Sequence, residues 1–267
     1  MATTMRNTTT LVALTTVFTA VLGAGVPSDL EAQSLSSRVA RVRDGTVRLS
    51  FASRPDVCGN GRGSISTRNG DRVILNRDEW AEECEPGPVR IALDVADGEV
   101  VALRTYVGGR WRSAGSATDL GMVGVREATD YLLGDIVRSG GKAAGDAIFP
   151  ASIADSVTTW PRMLQIARNE ELGRATRKQA VFWVGQAAGE RATQGLRDVA
   201  DDSKVDRQVR LQAVFAISQH RGGGVPMLID IAKNSSDRDV KKQAIFWLGQ
   251  SNDKRALDYF ETILGKR

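Results

Sequence analysis

The C-terminal part of the chain repeats itself, and the period of the repeat limits what it can fold into. Ala147, Ala180, Ala213 and Ala244 open four related segments and are spaced 33, 33 and 31 residues apart. The segments read Ala-Ile-Phe-Pro-Ala-Ser, Ala-Val-Phe-Trp-Val-Gly-Gln, Ala-Val-Phe-Ala-Ile-Ser-Gln and Ala-Ile-Phe-Trp-Leu-Gly-Gln. A second pattern runs in step with the first. Met163, Leu196, Leu228 and Phe260 are spaced 33, 32 and 32 apart. Each has an apolar residue three positions on (Ile166, Val199, Ile231, Ile263) and a small or apolar one four positions on (Ala167, Ala200, Ala232, Leu264). Two amphipathic helices per unit of roughly 30 residues predict an α-solenoid, in which each helical hairpin buries its apolar face only against its neighbours.

Upstream, the period changes to two. Val47, Leu49 and Phe51 alternate with Arg48 and Ser50, Val89, Ile91, Leu93 and Val95 alternate with Arg90, Ala92 and Asp94, and Val101, Leu103, Thr105 and Val107 share a face. Asn69-Gly70 and Asp97-Gly98 are hairpin-turn signals. The spacing predicts about five strands in a small antiparallel sheet over 44–112 with one buried face. Arg112 to Thr118 has the composition of a linker, and Glu127 to Ser139 that of a helix capping the solenoid, ended by Gly140-Gly141. The expected fold class is α+β: a signal peptide over 1–32, a small β domain over 33–115, a linker and capping helix over 116–141, and a solenoid of about four helical hairpins over 142–267. Ser34 to Arg43 reads as a mature terminus or the lead-in to a first strand.

Arg6 followed by the uncharged, apolar and Thr-rich stretch Leu11 to Val26 has the form of a secretory signal. Cleavage is expected after Ala32, leaving Gln33 first, with Ala24 as the other small-residue site and an uncleaved anchor as the alternative. No later segment has the run of apolar residues a membrane span needs. The expected location is the periplasm or the exterior. Cys58 and Cys84 are the two cysteines, 26 residues apart. In an exported protein such a pair forms a disulfide. Closing that loop contributes about 3 kcal/mol in the chain-entropy model. A net charge of +4 on 267 residues is a mild excess. Without aromatic–basic motifs it does not predict a nucleic-acid partner.

The segments Arg177-Lys178-Gln179-Ala180-Val181-Phe182-Trp183-Val184-Gly185-Gln186 and Lys241-Lys242-Gln243-Ala244-Ile245-Phe246-Trp247-Leu248-Gly249-Gln250 resemble the first helix of short bacterial HEAT-like repeats, of the phycobilisome-lyase type. The resemblance covers 142–267 and implies an architecture rather than an activity, since that family spans lyases, hydroxylases and scaffolds. Its di-iron hydroxylases use repeated His-Glu pairs. Here the one histidine, His220, is followed by Arg221. The lyase branch joins chromophores to cysteine, and both cysteines lie outside the repeats.

Candidate chemistry elsewhere is sparse. Cys58-Gly59-Asn60-Gly61-Arg62-Gly63 lacks the spacing of a phosphate loop and precedes a strand, so it reads as a turn. The acidic run Asp78, Glu79, Glu82, Glu83 and Glu85 lacks the alternation of a calcium loop and reads as a solvated segment. His220 sits at a helix end, with no nucleophile elbow in the chain. No catalytic, metal or cofactor residue is assigned. Trp183 and Trp247 recur at one repeat position, and Gln186, Gln219 and Gln250 at another. They read either as packing between repeats or as a partner-binding surface. The leading expectation is a non-enzymatic scaffold for a protein or peptide. The alternative is an enzyme or small-ligand receptor with its site in the β domain or the cleft beside it, for instance around Arg54, Asp56 and Glu83.

Overall fold

The computed structural model describes residue 1 and residues 34–62, 64–67, 72–74, 84–111, 115–187, 189–220 and 223–265. The expected signal segment, the Asn69-Gly70 turn and the acidic run up to Glu83 lie outside the described residues. Residues 34–267 form one compact unit, and the class is α+β.

The chain enters this unit through α1 (Leu35–Val39), where Ser34 caps the helix by accepting from the Ser37 amide. This short helix stands where a strand lead-in or an open terminus was expected. Its Leu35 and Val39 are buried. Strands β1 (Gly45–Phe51), β6 (Val89–Ala96), β7 (Glu99–Val107) and β8 (Thr118–Met122) form a sheet in the order β7-β6-β1-β8. β6 pairs antiparallel with β1 and β7, and β8 pairs parallel with β1. The predicted buried face holds: Val47, Leu49, Phe51, Val89, Ile91, Leu93, Leu103 and Val107 are buried. Val101 departs from it and is half exposed. The β6–β7 register slips between Asp94 and Val95, so Val95 faces Val100 while Asp94 faces Ala102. The extra residue is a bulge, which breaks the alternation.

Strands β2 (Val57–Gly59), β3 (Ser64–Thr67), β4 (Arg72–Ile74) and β5 (Glu85–Pro86) make a second sheet, ordered β4-β3-β2-β5. The expected single sheet is therefore two. The Cys58–Cys84 disulfide ties β2 to the residue before β5. Glycines let this sheet approach the first. A Cβ on Gly61 would lie 2.7 Å from the Gly109 Cα, and one on Gly108 would lie 2.8 Å from the Gly59 carbonyl. Both glycines have positive φ, so the glycine-rich stretch serves a backbone crossing.

β8 occupies part of the expected linker. It is short and mostly exposed, with Leu120 and Met122 alone as apolar residues, too brief a period to read. Helix α2 (Val125–Asp130) runs through a π-helical segment, Tyr131–Ile136, into α3 (Val137–Ser139), and Gly140 ends it. The first predicted outer helix, 142–155, is two: α4 (Gly141–Asp146) and α5 (Ile148–Ser152). The break at Ala147 has a cause in Pro150, which has no N–H for the Asp146 carbonyl and crowds it. A seam joins strand to helix here. Arg54 N donates to the Ile153 carbonyl at 3.0 Å, and Asp155 N to the Ala52 carbonyl at 3.0 Å.

Helices α6 (Trp160–Arg168), α7 (Arg174–Gln186), α8 (Glu190–Asp201), α9 (Arg207–Ser218), α10 (Gly224–Asn234), α11 (Arg238–Gln250) and α12 (Lys254–Leu264) follow. They agree with the predicted helix positions to within a few residues. α7 packs on α9 and α9 on α11, while α6 packs on α8 and α10 on α12. Ala147, Ala180, Ala213 and Ala244 are all buried.

Ion pairs recur at the sequence period. Arg174 meets Asp206 at 3.1 Å, Arg197 meets Asp230 at 3.0 Å and Arg207 meets Asp239 at 2.6 Å. The partners are 32, 33 and 32 residues apart. Arg210, almost buried, reaches Asp237 at 2.6 Å and the Val205 carbonyl at 3.1 Å. Asp237 also caps α11, accepting from the Asp239 and Val240 amides at 2.8 and 2.9 Å.

Two paired experiments test this packing. Gly185 and Gly249 are equivalent in the sequence pattern. A Cβ at Gly185 would lie 2.8 Å from the Ala216 Cβ and 3.2 Å from its Cα, whereas nothing lies within 4 Å at Gly249. Gly249→Ala should therefore stabilise by several tenths to about 1 kcal/mol through helix propensity, and Gly185→Ala should destabilise by about 1–3 kcal/mol through overpacking. Denaturant melts giving both variants the same sign would overturn the α7–α9 contact. Asp237→Ala should cost about 2–3 kcal/mol, combining a lost cap with a stranded Arg210. Arg207→Ala, in an exposed pair, should cost under about 1 kcal/mol.

Candidate functional site

The recurrent tryptophans serve contacts between successive helix pairs. Trp183, half-buried on α7, stacks on Phe149 of α5 with ring centroids 4.6 Å apart and meets Phe182 edge-on at 5.0 Å. Trp247 on α11 packs on Phe215 of α9 at 5.0 Å and on Phe246 at 5.0 Å. In each case the tryptophan reaches back to the phenylalanine of the preceding segment. Gln186, Gln219 and Gln250 lie at the C-terminal ends of α7, α9 and α11. Gln219 donates to the Ser218 hydroxyl at 3.1 Å, and Gln250 is exposed. His220 follows the cap of α9, and its amide donates to the Ile217 carbonyl at 3.0 Å. Arg54 pairs with Asp56 at 3.1 Å and with the Ser152 carbonyl at 3.3 Å, strengthening the strand–helix seam. Glu83 lies outside the described residues. Among the described residues no group of three His, Cys, Asp or Glu side chains could hold a metal.

Two other surfaces stand out. The first is apolar. Ile245, Phe246, Leu257, Ile263 and Leu264 are exposed on α11 and α12. The repeat pattern makes their exposure informative. Ile245 is equivalent to Val181 and Val214, and Ile263 to Val199 and Ile231, all fully buried. Leu264 is equivalent to the buried Ala200 and Ala232, and Leu257 to the buried Thr193. Four of these side chains thus occupy positions that are buried earlier in the chain, while Phe246 corresponds to the half-buried Phe182 and Phe215.

The second surface is a cleft where α4 and α7 meet β7. A cavity of about 500 Å³ is lined by Arg62, Arg104, Tyr106, Lys142, Asp146 and Trp183, among others. Burial raises the Asp146 carboxyl above its ordinary pKa, with Lys142 pulling it down. Tyr106 is also shared by two further cavities on the open side of the β7-β6-β1-β8 sheet, of about 230 and 700 Å³. Of the expected site residues only Trp183 lines this region. The rest of it depends on strand register, which periodicity alone does not specify.

The chain matches no protein-family model and no curated protein.

Several acidic groups make the helical part sensitive to acid. Backbone donation from Val240 and then the Arg210 guanidinium hold the Asp237 carboxyl below its ordinary pKa. Arg207 does the same for Asp239, and Arg255 holds Asp253 down to about 2. A depressed carboxylate contributes stability fully above the unfolded value of about 3.9, and loses it as pH falls through the folded value. Thermal midpoints should hold between pH 7 and about 5 and then fall steadily toward pH 2, less steeply in Asp237→Asn. The aromatic contacts predict a second contrast. Trp247→Ala should destabilise by about 2–3 kcal/mol, while Gln250→Ala stays within about 0.5 kcal/mol. Equal effects in chemical melts would remove Trp247 from the packing between helix pairs.

Proposed function

We propose that residues 142–267 form a short HEAT-like α-solenoid, and that the protein is an exported, non-enzymatic scaffold that binds a protein partner through it. The observation that carries this reading is the open apolar face of α11 and α12. Contiguous exposed apolar surface of this kind marks interaction sites in soluble proteins. The partner chemistry follows from the packing rule of the preceding helices: an amphipathic helix or helical hairpin whose apolar side chains take the place of another layer. The Arg–Asp pairs at the repeat period and the tryptophan-on-phenylalanine contacts support the solenoid part of the reading. The disulfide supports export, since such bonds persist in oxidising compartments. No helix among the described residues is long and apolar enough to cross a membrane.

A photo-crosslinking amino acid in place of Phe246 tests the proposal in the cells that make the protein. The expected result is a discrete adduct that disappears when Leu257→Glu is added, with the variant still folded by circular dichroism. An adduct unaffected by Leu257→Glu, or one formed equally from an exposed position of β8, would overturn the assignment of the face. A ligand receptor is the second reading, favoured by the cavities that meet at Tyr106.

A further inference from the structure

The open side of the β7-β6-β1-β8 sheet carries an arrangement that a merely solvated sheet face does not need. Register sets three rows across it. Thr46, Asp94 and Ala102 form one, Arg48, Ala92 and Arg104 the next, and Ser50, Arg90 and Tyr106 the third. In the middle row two arginines flank a methyl group. Neighbouring strands lie about 4.8 Å apart, so their Cα atoms are roughly 10 Å apart with a gap over Ala92. That gap is the cavity of about 230 Å³, lined by Thr46, Arg48, Ala92, Arg104, Tyr106, Trp111, Ser116 and Ala117. It has room for several water molecules or a small organic group.

The cations around it are held in place. Arg48 lies 4.8 Å from the Trp111 ring centroid and Arg90 5.9 Å from it. Tyr106 meets Trp111 edge-on at 5.8 Å. Arg90 donates to the Gly108 and Gly109 carbonyls at 3.1 and 2.7 Å and to the Ser50 hydroxyl at 3.4 Å. Those partners are neutral, so Arg90 keeps its charge, which acts from outside the cavity lining. Arg104 is paired with Asp94, whose carboxylate also accepts from the Thr46 hydroxyl at 3.1 Å. Across Trp111 the adjoining cavity of about 700 Å³ adds Arg62 and Arg110. Among the described residues, every charged side chain lining these two cavities is an arginine. The Trp111 indole N–H is buried without an acceptor among the described residues. The Tyr106 hydroxyl beside the Arg48 guanidinium suits a planar or tetrahedral oxyanion, and preorientation lowers the entropic cost of binding one.

We infer that the cavity over Ala92 binds a small organic oxyanion, a carboxylate or phosphate monoester, with the remainder of the ligand lying past Trp111 toward Arg110. The inference rests on the receptor reading and is independent of the scaffold face on α11 and α12.

Tryptophan fluorescence and calorimetry of the full chain would test it with four probes: inorganic phosphate, glucose 6-phosphate, glucuronate and glucose. Saturable binding of an anionic probe is expected, with glucose silent. The two anionic sugars decide between phosphate and carboxylate. Arg48→Gln should weaken the favoured anion about tenfold to a hundredfold, the worth of a charge-assisted hydrogen bond. Trp111→Phe should remove most of the fluorescence change and weaken, without abolishing, the binding heat. Arg174→Gln, remote on α7, should change neither. Equal binding of glucose would overturn the oxyanion chemistry and leave a receptor. No saturable signal with any probe at millimolar concentration would overturn both. If Arg48→Gln unfolds the sheet, Tyr106→Phe replaces it, and unchanged affinity in a folded variant of either residue would place binding elsewhere.

Discussion

Burial of one helix pair by the next is the contact on which the rest of this structure depends. A single pair such as α9 and α10 has too little apolar surface to pay the conformational cost of ordering itself. Small residues make the close approach possible. Ala180, Ala213 and Ala244 are fully buried, and Gly185 faces Ala216 across α7 and α9 with no room for a side chain. The aromatic residues then act between layers, each tryptophan resting on the phenylalanine behind it. Arginine and aspartate pairs fix the register along the edge. These pairs are mostly exposed and add little energy individually. Their contribution is to penalise a slip, which would separate several pairs at once.

The β part closes the N-terminal side of this packing. α4 packs on both β7 and α7, and α5 packs on α7. Phe149 on α5 receives Trp183, so the first helix layer is anchored to the sheet through its own aromatic contact. Hydrogen bonds between 52–54 and 153–155 reinforce the junction. One buried apolar cluster runs from Leu35 and Val47 through Leu132 and Ile148 to Leu228 and Tyr259. The β part and the helices therefore share a core, and the sheet's inner strands have an apolar face that needs the helices to cover it.

Much of the helical half was legible from sequence because its signal is periodic and recurs in register. The buried alanines and the bounds of α7 to α12 follow from that recurrence. The disulfide followed from the isolation of Cys58 and Cys84, and β1, β6 and β7 from alternation. What escaped has physical reasons. Pro150 splits α4 from α5, although the apolar spacing around it is helical. Ala128, Tyr131, Leu132, Ile136 and Val137 predict a helix, but their spacing does not reveal the π-helical pitch. β8 is short and mostly exposed, and its Leu120 and Met122 alone make too brief an alternation to read. β2 and β5 are too short for a period, and their pairing follows the disulfide rather than hydrophobicity. The candidate site was the least legible of all. Arg48, Ala92 and Arg104 are far apart in sequence, and only the strand register brings them into one row.

The two ends of the helical packing differ, and this asymmetry bears on how the molecule can associate. The N-terminal layer is covered by α4, α5 and β7, so a second copy cannot add to it in the way α9 adds to α7. The face carrying Ile245 and Phe246 remains open among the described residues. A head-to-tail contact needs both faces, whereas an isologous contact or a foreign helix needs only one. A second copy repeating the α7–α9 contact at that end therefore meets α4, α5 and β7 instead of an open helix face. In this arrangement the β part supplies the stop at one end of the helices and the basic pocket on its other face, while the helices supply the open apolar surface.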